Sequence, residues 1–275
     1  MKFYIAPVVA LFAANAYASN AYAAAHLRRE QFDDAPAPKF GYVGEDGPVK
    51  WGNLDPTFGL CSNGTRQSPI NIDDTIIIDS GSGYSLTIPD IPGGATLENV
   101  GTTIQVELEN SSIEFGGKVY QLKQFHFHSP GEHLFDGRNY VLEAQFRGFA
   151  EDGSLANIGV PIALSDTNYP PVFGNVLAAA ANVTEPGSIT TTCPLTFVKF
   201  ISLLETTNVY RYTGSYTSPP CTEGVEWVVL NQTATVDYQT FLAAKNALKF
   251  NARFPQNELG APNLLDNSQL AFART

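Results

Sequence analysis

Basic residues are scarce in this chain. Lys and Arg number 16 against 27 Asp and Glu in 275 residues, a formal net charge of −11. Such a surface repels phosphate backbones, which excludes a nucleic-acid-binding protein. Charge of either sign is also sparse, at 16%. The hydrophobic fraction is nevertheless an ordinary 44%, with aromatics spread along the chain, so disorder is excluded as well. Long apolar runs are missing beyond the N-terminal segment, and no window reaches the roughly 20 residues that a membrane span requires. Internal repeats and low-complexity tracts are missing too. Histidine is limited to four residues and cysteine to three.

What is present begins with a leader. Residues 1–18 read as a secretory signal: Lys2 is the only charge, Ile5 to Ala14 is apolar, and Ala16-Tyr17-Ala18 suits signal peptidase. Residues 19–39 are Ala-rich, then charged, then Pro-rich, and contain the pair Arg28-Arg29; they read as a flexible spacer or short pro-segment. Residues 40–275 form the remaining domain. The expected location is therefore secreted and extracellular. Sequons at Asn63, Asn110, Asn182 and Asn231 fit an exported glycoprotein. Three cysteines in such a chain imply one disulfide and one leftover thiol. Three pairings are open. Cys61 and Cys221 both sit in Gly/Pro/Ser-rich turns, which suits a long-range staple, and leaves Cys193 either buried or paired outside the domain.

Most apolar patterning from Phe40 onward has period two, the signature of strands with one buried face. Ile104 to Leu108, Phe125 to His128 and Leu142 to Arg147 all alternate, and Gly/Pro/Asn/Asp clusters punctuate them. Tyr238 to Phe250 is the best helical candidate. The fold class is a β-rich α+β domain with few helices.

Three of the four histidines are His126, His128 and His133. On a strand, His126 and His128 project to one face while Phe125 and Phe127 face a core. Paired imidazoles on one strand face are a common zinc arrangement, with a third ligand from a neighbouring strand. Alone, such a pair is a weak signal, more often two polar residues on a solvated strand face.

Its surroundings are more specific. Gln124-Phe125-His126-Phe127-His128 is followed by Glu132-His133, Asp136-Gly137 and Tyr140 to Glu143. With Trp51 to Pro56, Gln67 to Ile72, and Tyr212 through Ser218-Pro219-Pro220, this set resembles the α-carbonic anhydrase family over roughly residues 40–272. The resemblance implies a large, mostly antiparallel twisted central sheet with short surface helices, and a zinc funnel built on that sheet. It implies reversible hydration of CO2 by zinc-bound hydroxide, held by three histidines, oriented by a Thr–Glu pair and flanked by an apolar wall. By position, His126 and His128 match two zinc ligands, Glu132 and Thr217 the catalytic orienting pair, and Gln124 and Glu143 the residues that fix the ligands. The pocket positions are Arg147, Asn157, Tyr216, Lys123, Trp227 and Thr102.

The match then departs from the family pattern. The third ligand position holds Gln145, whose amide oxygen is a harder and weaker partner for zinc than imidazole. His133 matches a structural position and His26 lies in the leader, so no histidine substitutes. Arg147, on the same strand face as Gln145, stands where the family has a wall residue that is usually Val. Asn157 and Tyr216 also replace aliphatic wall residues, Lys123 falls on the rim, and Thr102 stands at the proton-shuttle position. Two functions follow as expectations. One is a secreted relative, poor or inactive in CO2 hydration, whose polar pocket takes an anionic or carbonyl-bearing small molecule for binding or for another reaction. The other is a weakened zinc-dependent carbonic anhydrase with Gln145 as third ligand. A cell-surface interaction module is also permitted, with no specific feature recommending it.

Overall fold

A computed structural model describes residues 40–266 of the chain. The leader, the spacer with Arg28-Arg29, and His26 lie outside the described residues. Strands dominate. In chain order they are β1 (Asn71–Ile72), β2 (Ile77–Ser80), β3 (Ser85–Thr87), β4 (Thr96–Asn99), β5 (Ile104–Phe115), β6 (Lys118–His128) and β7 (Leu134–Phe135). They continue as β8 (Leu142–Phe149), β9 (Leu155–Leu164), β10 (Ile189–Thr191), β11 (Asn208–Ser215), β12 (Glu223–Leu230) and β13 (Ala234–Val236). β1 and β7 form a small parallel pair. The other eleven form one sheet whose main path runs β10-β4-β5-β6-β8-β9-β12-β11-β2, with β3 beside β5 and β13 beside β9. Within that sheet only β12 and β13 pair with β9 in parallel. The architecture is the mostly antiparallel large sheet the sequence predicts.

The alternation sorts the sheet's two faces. Phe125, Phe127, Ala144, Phe146, Ile158 and Val160 are all buried in one cluster beneath it. Phe125 stacks on Phe146 at 4.7 Å, and Phe146 on Phe200 at 4.9 Å. Phe200 comes from the helix Val198–Thr206, which this packing holds to the sheet. Each such ring contributes about 1.5–3 kcal/mol by leaving water. The intervening residues point to the other face, which carries the polar site.

The expected helix forms over Tyr238–Leu248. Asp237 caps it by accepting from Thr240 N and Oγ1, both at 2.9 Å. It stops at Lys249, whose φ of 57° leaves the helical region. Two helices were not legible: Pro171–Ala179 and Val198–Thr206. The first opens on the second residue of a Pro-Pro pair, and buries so many of its nine residues that it shows little amphipathic period. Cys61 and Cys221 are joined across 160 residues. Cys193 is exposed and unpaired, not buried. Asn63, Asn110, Asn182 and Asn231 are all exposed.

Candidate functional site

Pairing register assembles the site. Across β6–β8, His126 faces Gln145, His128 faces Glu143, and Gln124 faces Arg147. Across β8–β9, Arg147 faces Asn157 and Gln145 faces Gly159; Asn157 in turn pairs with Trp227 of β12. Residues in register project to the same side of a sheet. One face therefore carries the two imidazoles, the amide at the third ligand position and the altered wall residues together. Loops from distant parts of the chain cover it, so His126, His128, Glu132, Glu143, Gln145 and Asn157 are all buried.

Two buried carboxylates organise its floor. Glu143 Oε2 accepts from the backbone N–H of Glu132 and His133, both at 2.9 Å. Its Oε1 accepts from His133 Nδ1 at 2.8 Å and Gln145 Nε2 at 2.9 Å. Burial pushes this carboxyl up, but the charge of His133 and its side-chain and backbone hydrogen bonds outweigh burial and hold it at about 2. Glu132 Oε1 accepts from the backbone N–H of Arg253, and Oε2 from Gln145 Nε2, both at 2.8 Å. His133 continues inward, its Nε2 lying 2.6 Å from the Tyr212 hydroxyl, which donates to Ser68 Oγ.

These carboxylates fix the amide of Gln145. Both of its N–H bonds are donated to carboxylate oxygens, and a flipped amide would set oxygen against oxygen. Oε1 is thereby turned towards Thr217, whose Oγ1 donates to it at a long 3.4 Å. Glu132 and Thr217, paired by the family resemblance, are here bridged by Gln145 rather than bonded to each other.

Both imidazoles are anchored at Nδ1. His126 Nδ1 lies 2.9 Å from Gln124 Oε1, and His128 Nδ1 lies 2.7 Å from the Asn251 carbonyl. A carbonyl partner makes His128 Nδ1 the donor, so Nε2 carries the lone pair when the ring is neutral. That Nε2 is buried without a hydrogen bond, although Glu132 Oε2 is only 3.3 Å away. The contact is close enough to count as an ion pair if the ring is protonated, but its angle is not that of a hydrogen bond. Two acceptors facing each other in a buried site suit a shared cation. Among the described residues no group of three His, Cys, Asp or Glu side chains is placed to hold a metal ion. On this face the register sets the Gln145 amide beside His126, so it is the remaining side chain from which a zinc ion could draw a third protein donor.

The sheet face beside Gln145 is polar. Arg147 lies over the Tyr216 ring at 4.7 Å and donates from Nη2 to Ser218 Oγ at 2.9 Å. It makes no ion pair with Glu143 or any other acid among the described residues, and its Nε is buried without a partner. Asn157 is completely buried, and neither its Oδ1 nor its Nδ2 has a partner. Burial raises the Tyr216 hydroxyl, and the Arg147 charge opposes that rise. Trp227 is fully buried, its indole N–H bonded to the Ser215 carbonyl and its ring stacked on Tyr212. Lys123 stands where the β6–β8 register slips, its ammonium 5.3 Å from the Phe149 ring centroid. Thr102 is half-buried and its carbonyl accepts from Asn251 Nδ2.

Four contributors escaped sequence reading. Tyr42 packs its ring 6.3 Å from that of His128, and burial with the nearby Glu132 charge raises its hydroxyl. Asn251 also caps Ser129 N at 2.7 Å. Arg253 is a buried cation, 2% exposed, bonded to Gln67 Oε1 and to the carbonyls of Ser68 and Cys61. These three lie in loops with no periodic pattern, so only the tertiary fold reveals them. Ser218 was visible in the Ser-Pro-Pro motif, but not its bond to Arg147.

The fold and these motifs match known proteins. Residues 46–263 match the family model for eukaryotic-type carbonic anhydrase. A carbonic anhydrase of Neisseria gonorrhoeae is 35% identical over 72% of this chain and 76% of its own. A fungal α-carbonic anhydrase from Aspergillus oryzae superposes with a TM-score of 0.80 at 36% identity, covering 84% of this chain and 98% of the other. A dioscorin solved in complex with ascorbate superposes with a TM-score of 0.66 at 29% identity, covering 79% and 93%.

Proposed function

Because the chain belongs to the eukaryotic-type carbonic anhydrase family, we propose that it is an exported member whose funnel binds a small anionic or carbonyl-bearing molecule and hydrates CO2 poorly. The observation that carries this reading is Arg147. CO2 is neutral and offers no hydrogen to donate, so it is best held against a dry apolar wall. A guanidinium with a buried, unpartnered Nε and a stacked aromatic beneath it recognises planar anions instead. The dioscorin solved in complex with ascorbate supports the view that a protein of this fold takes a small molecule other than CO2. A long-range disulfide and four exposed sequon asparagines support export.

Neither floor carboxylate competes for the anion. Glu143 accepts four N–H groups and Glu132 two, and neither pairs with Arg147, whose one side-chain hydrogen bond goes to Ser218. If a reaction follows binding, Tyr216 is the group placed at Arg147 to give a proton, and Glu132 the one beside His128 to take one. The fold does not decide between binding and turnover.

A second reading is favoured by one observation, the enforced orientation of Gln145. Its Oε1 is free of the carboxylates and turned towards Thr217, on the sheet face that His126 and His128 share, so the three could hold zinc. Zinc bound there would lower the pKa of its water to about 7 and supply hydroxide near neutral pH. The chain's own part is to hold the donors: Gln124 and Asn251 orient the imidazoles, and Glu132 with Glu143 fixes the amide.

The test of the first reading is a calorimetric titration of anions found by a binding screen. Arg147→Val, which restores the residue usual in the family, should weaken the best anion at least tenfold. Unchanged affinity would remove Arg147 from the binding site.

A further inference from the structure

Asn157 is the strongest unexplained group in the molecule. It is 0% exposed, and both polar atoms of its amide are unpartnered. A buried polar group without a partner costs free energy, so it points to a partner that arrives from outside. Its in-register neighbours on the same face are Arg147 and Trp227. Trp227 is closed off by its bond to Ser215 and its stack on Tyr212. Arg147 is only half-buried and is tied by a single side-chain hydrogen bond, to Ser218. Of these two neighbours, Arg147 is therefore the one able to move and uncover Asn157.

The two neighbouring side chains leave three polar atoms unsatisfied: donors Arg147 Nε and Asn157 Nδ2, and acceptor Asn157 Oδ1. The complementary ligand presents two acceptors, of which the one on Arg147 is anionic, and one donor. Building on the anion-binding reading of Arg147, we propose that the pocket is specific for small carboxylates that carry an adjacent hydroxyl, as in a 2-hydroxycarboxylate. The carboxylate accepts from Arg147 Nε and Asn157 Nδ2, and the hydroxyl donates to Asn157 Oδ1. Because Asn157 is fully covered, seating such a ligand moves the Arg147 side chain off Ser218 Oγ and onto the carboxylate. Tyr216 provides the ring against which the guanidinium turns. Bicarbonate has the same two acceptors and one donor on a single carbon, and is the smallest molecule with this chemistry.

The experiment is calorimetric titration of the purified protein with glycolate, acetate and bicarbonate, repeated for Asn157→Val and Arg147→Val. Both variants restore aliphatic wall residues, and their folding is checked by thermal melting. Glycolate should bind wild type at least about tenfold tighter than acetate, because acetate leaves Oδ1 unpaired. That margin should vanish in Asn157→Val, and both acids should be lost in Arg147→Val. Bicarbonate matching glycolate would extend the class to the one-carbon member; bicarbonate binding like acetate would restrict it to hydroxyls on a second carbon, which still supports the assignment. If acetate and glycolate bind equally and both depend on Arg147, Asn157 has no part in recognition and this inference fails while the anion-binding reading stands. If neither acid depends on Arg147, the anion-binding reading fails with it.

Discussion

At the scale of single residues, one side chain organises the centre. Gln145 ties Glu132 and Glu143 together through one NH2 group. Its identity was plain in the sequence. The bridge to Glu132, and the resulting separation of Glu132 from Thr217, was not, because it depends on a side-chain orientation set by two carboxylates at once. The depressed Glu143 carboxyl has a consequence for stability. Its pKa is lowered in the folded state, from 4.5 to about 2. Its contribution is therefore complete above pH 4.5 and lost as pH falls towards 2. Denaturant unfolding of wild type should show a loss across that window. Glu143→Gln should be less stable at pH 6 and should lose less between pH 4.5 and 2; parallel curves would show that Glu143 is not the acid-sensitive group.

At the scale of elements, period two placed β6 and β8 and sorted their faces correctly, because those strands lie between a phenylalanine core and a polar funnel. The same alternation does not say which strands pair. The register that sets His126 against Gln145 and Arg147 against Asn157 is a property of the assembled sheet. Helix Tyr238–Leu248 was legible because it lies on the surface and starts at a capping aspartate, whereas Pro171–Ala179 is too buried to show a face. The cap gives a direct check. Asp237 accepts from Thr240 N and Oγ1 and also from Asn168 Nδ2. Asp237→Ala should cost about 1–2 kcal/mol in unfolding free energy without altering anion binding. A loss under about 0.3 kcal/mol would mean that packing alone starts this helix.

At the scale of the whole molecule, the chain sets a cluster of buried polar side chains on one face of a large sheet. The sheet, the disulfide, the buried Arg253 and the anchors of His126 and His128 form the frame. Gln145, Arg147, Asn157 and Tyr216 supply polar groups within it. Tyr42, Asn251 and Arg253 reach the site from the two ends of the described chain, a closure that no local pattern announces. The central claim is that the wall, and not only the third ligand, sets the chemistry. It is tested most directly by stopped-flow CO2 hydration with Gln145→His saturated with zinc. The account predicts a variant that binds zinc tightly and hydrates CO2 little, since Arg147 and Asn157 still line the wall. Robust hydration from this single change would contradict it.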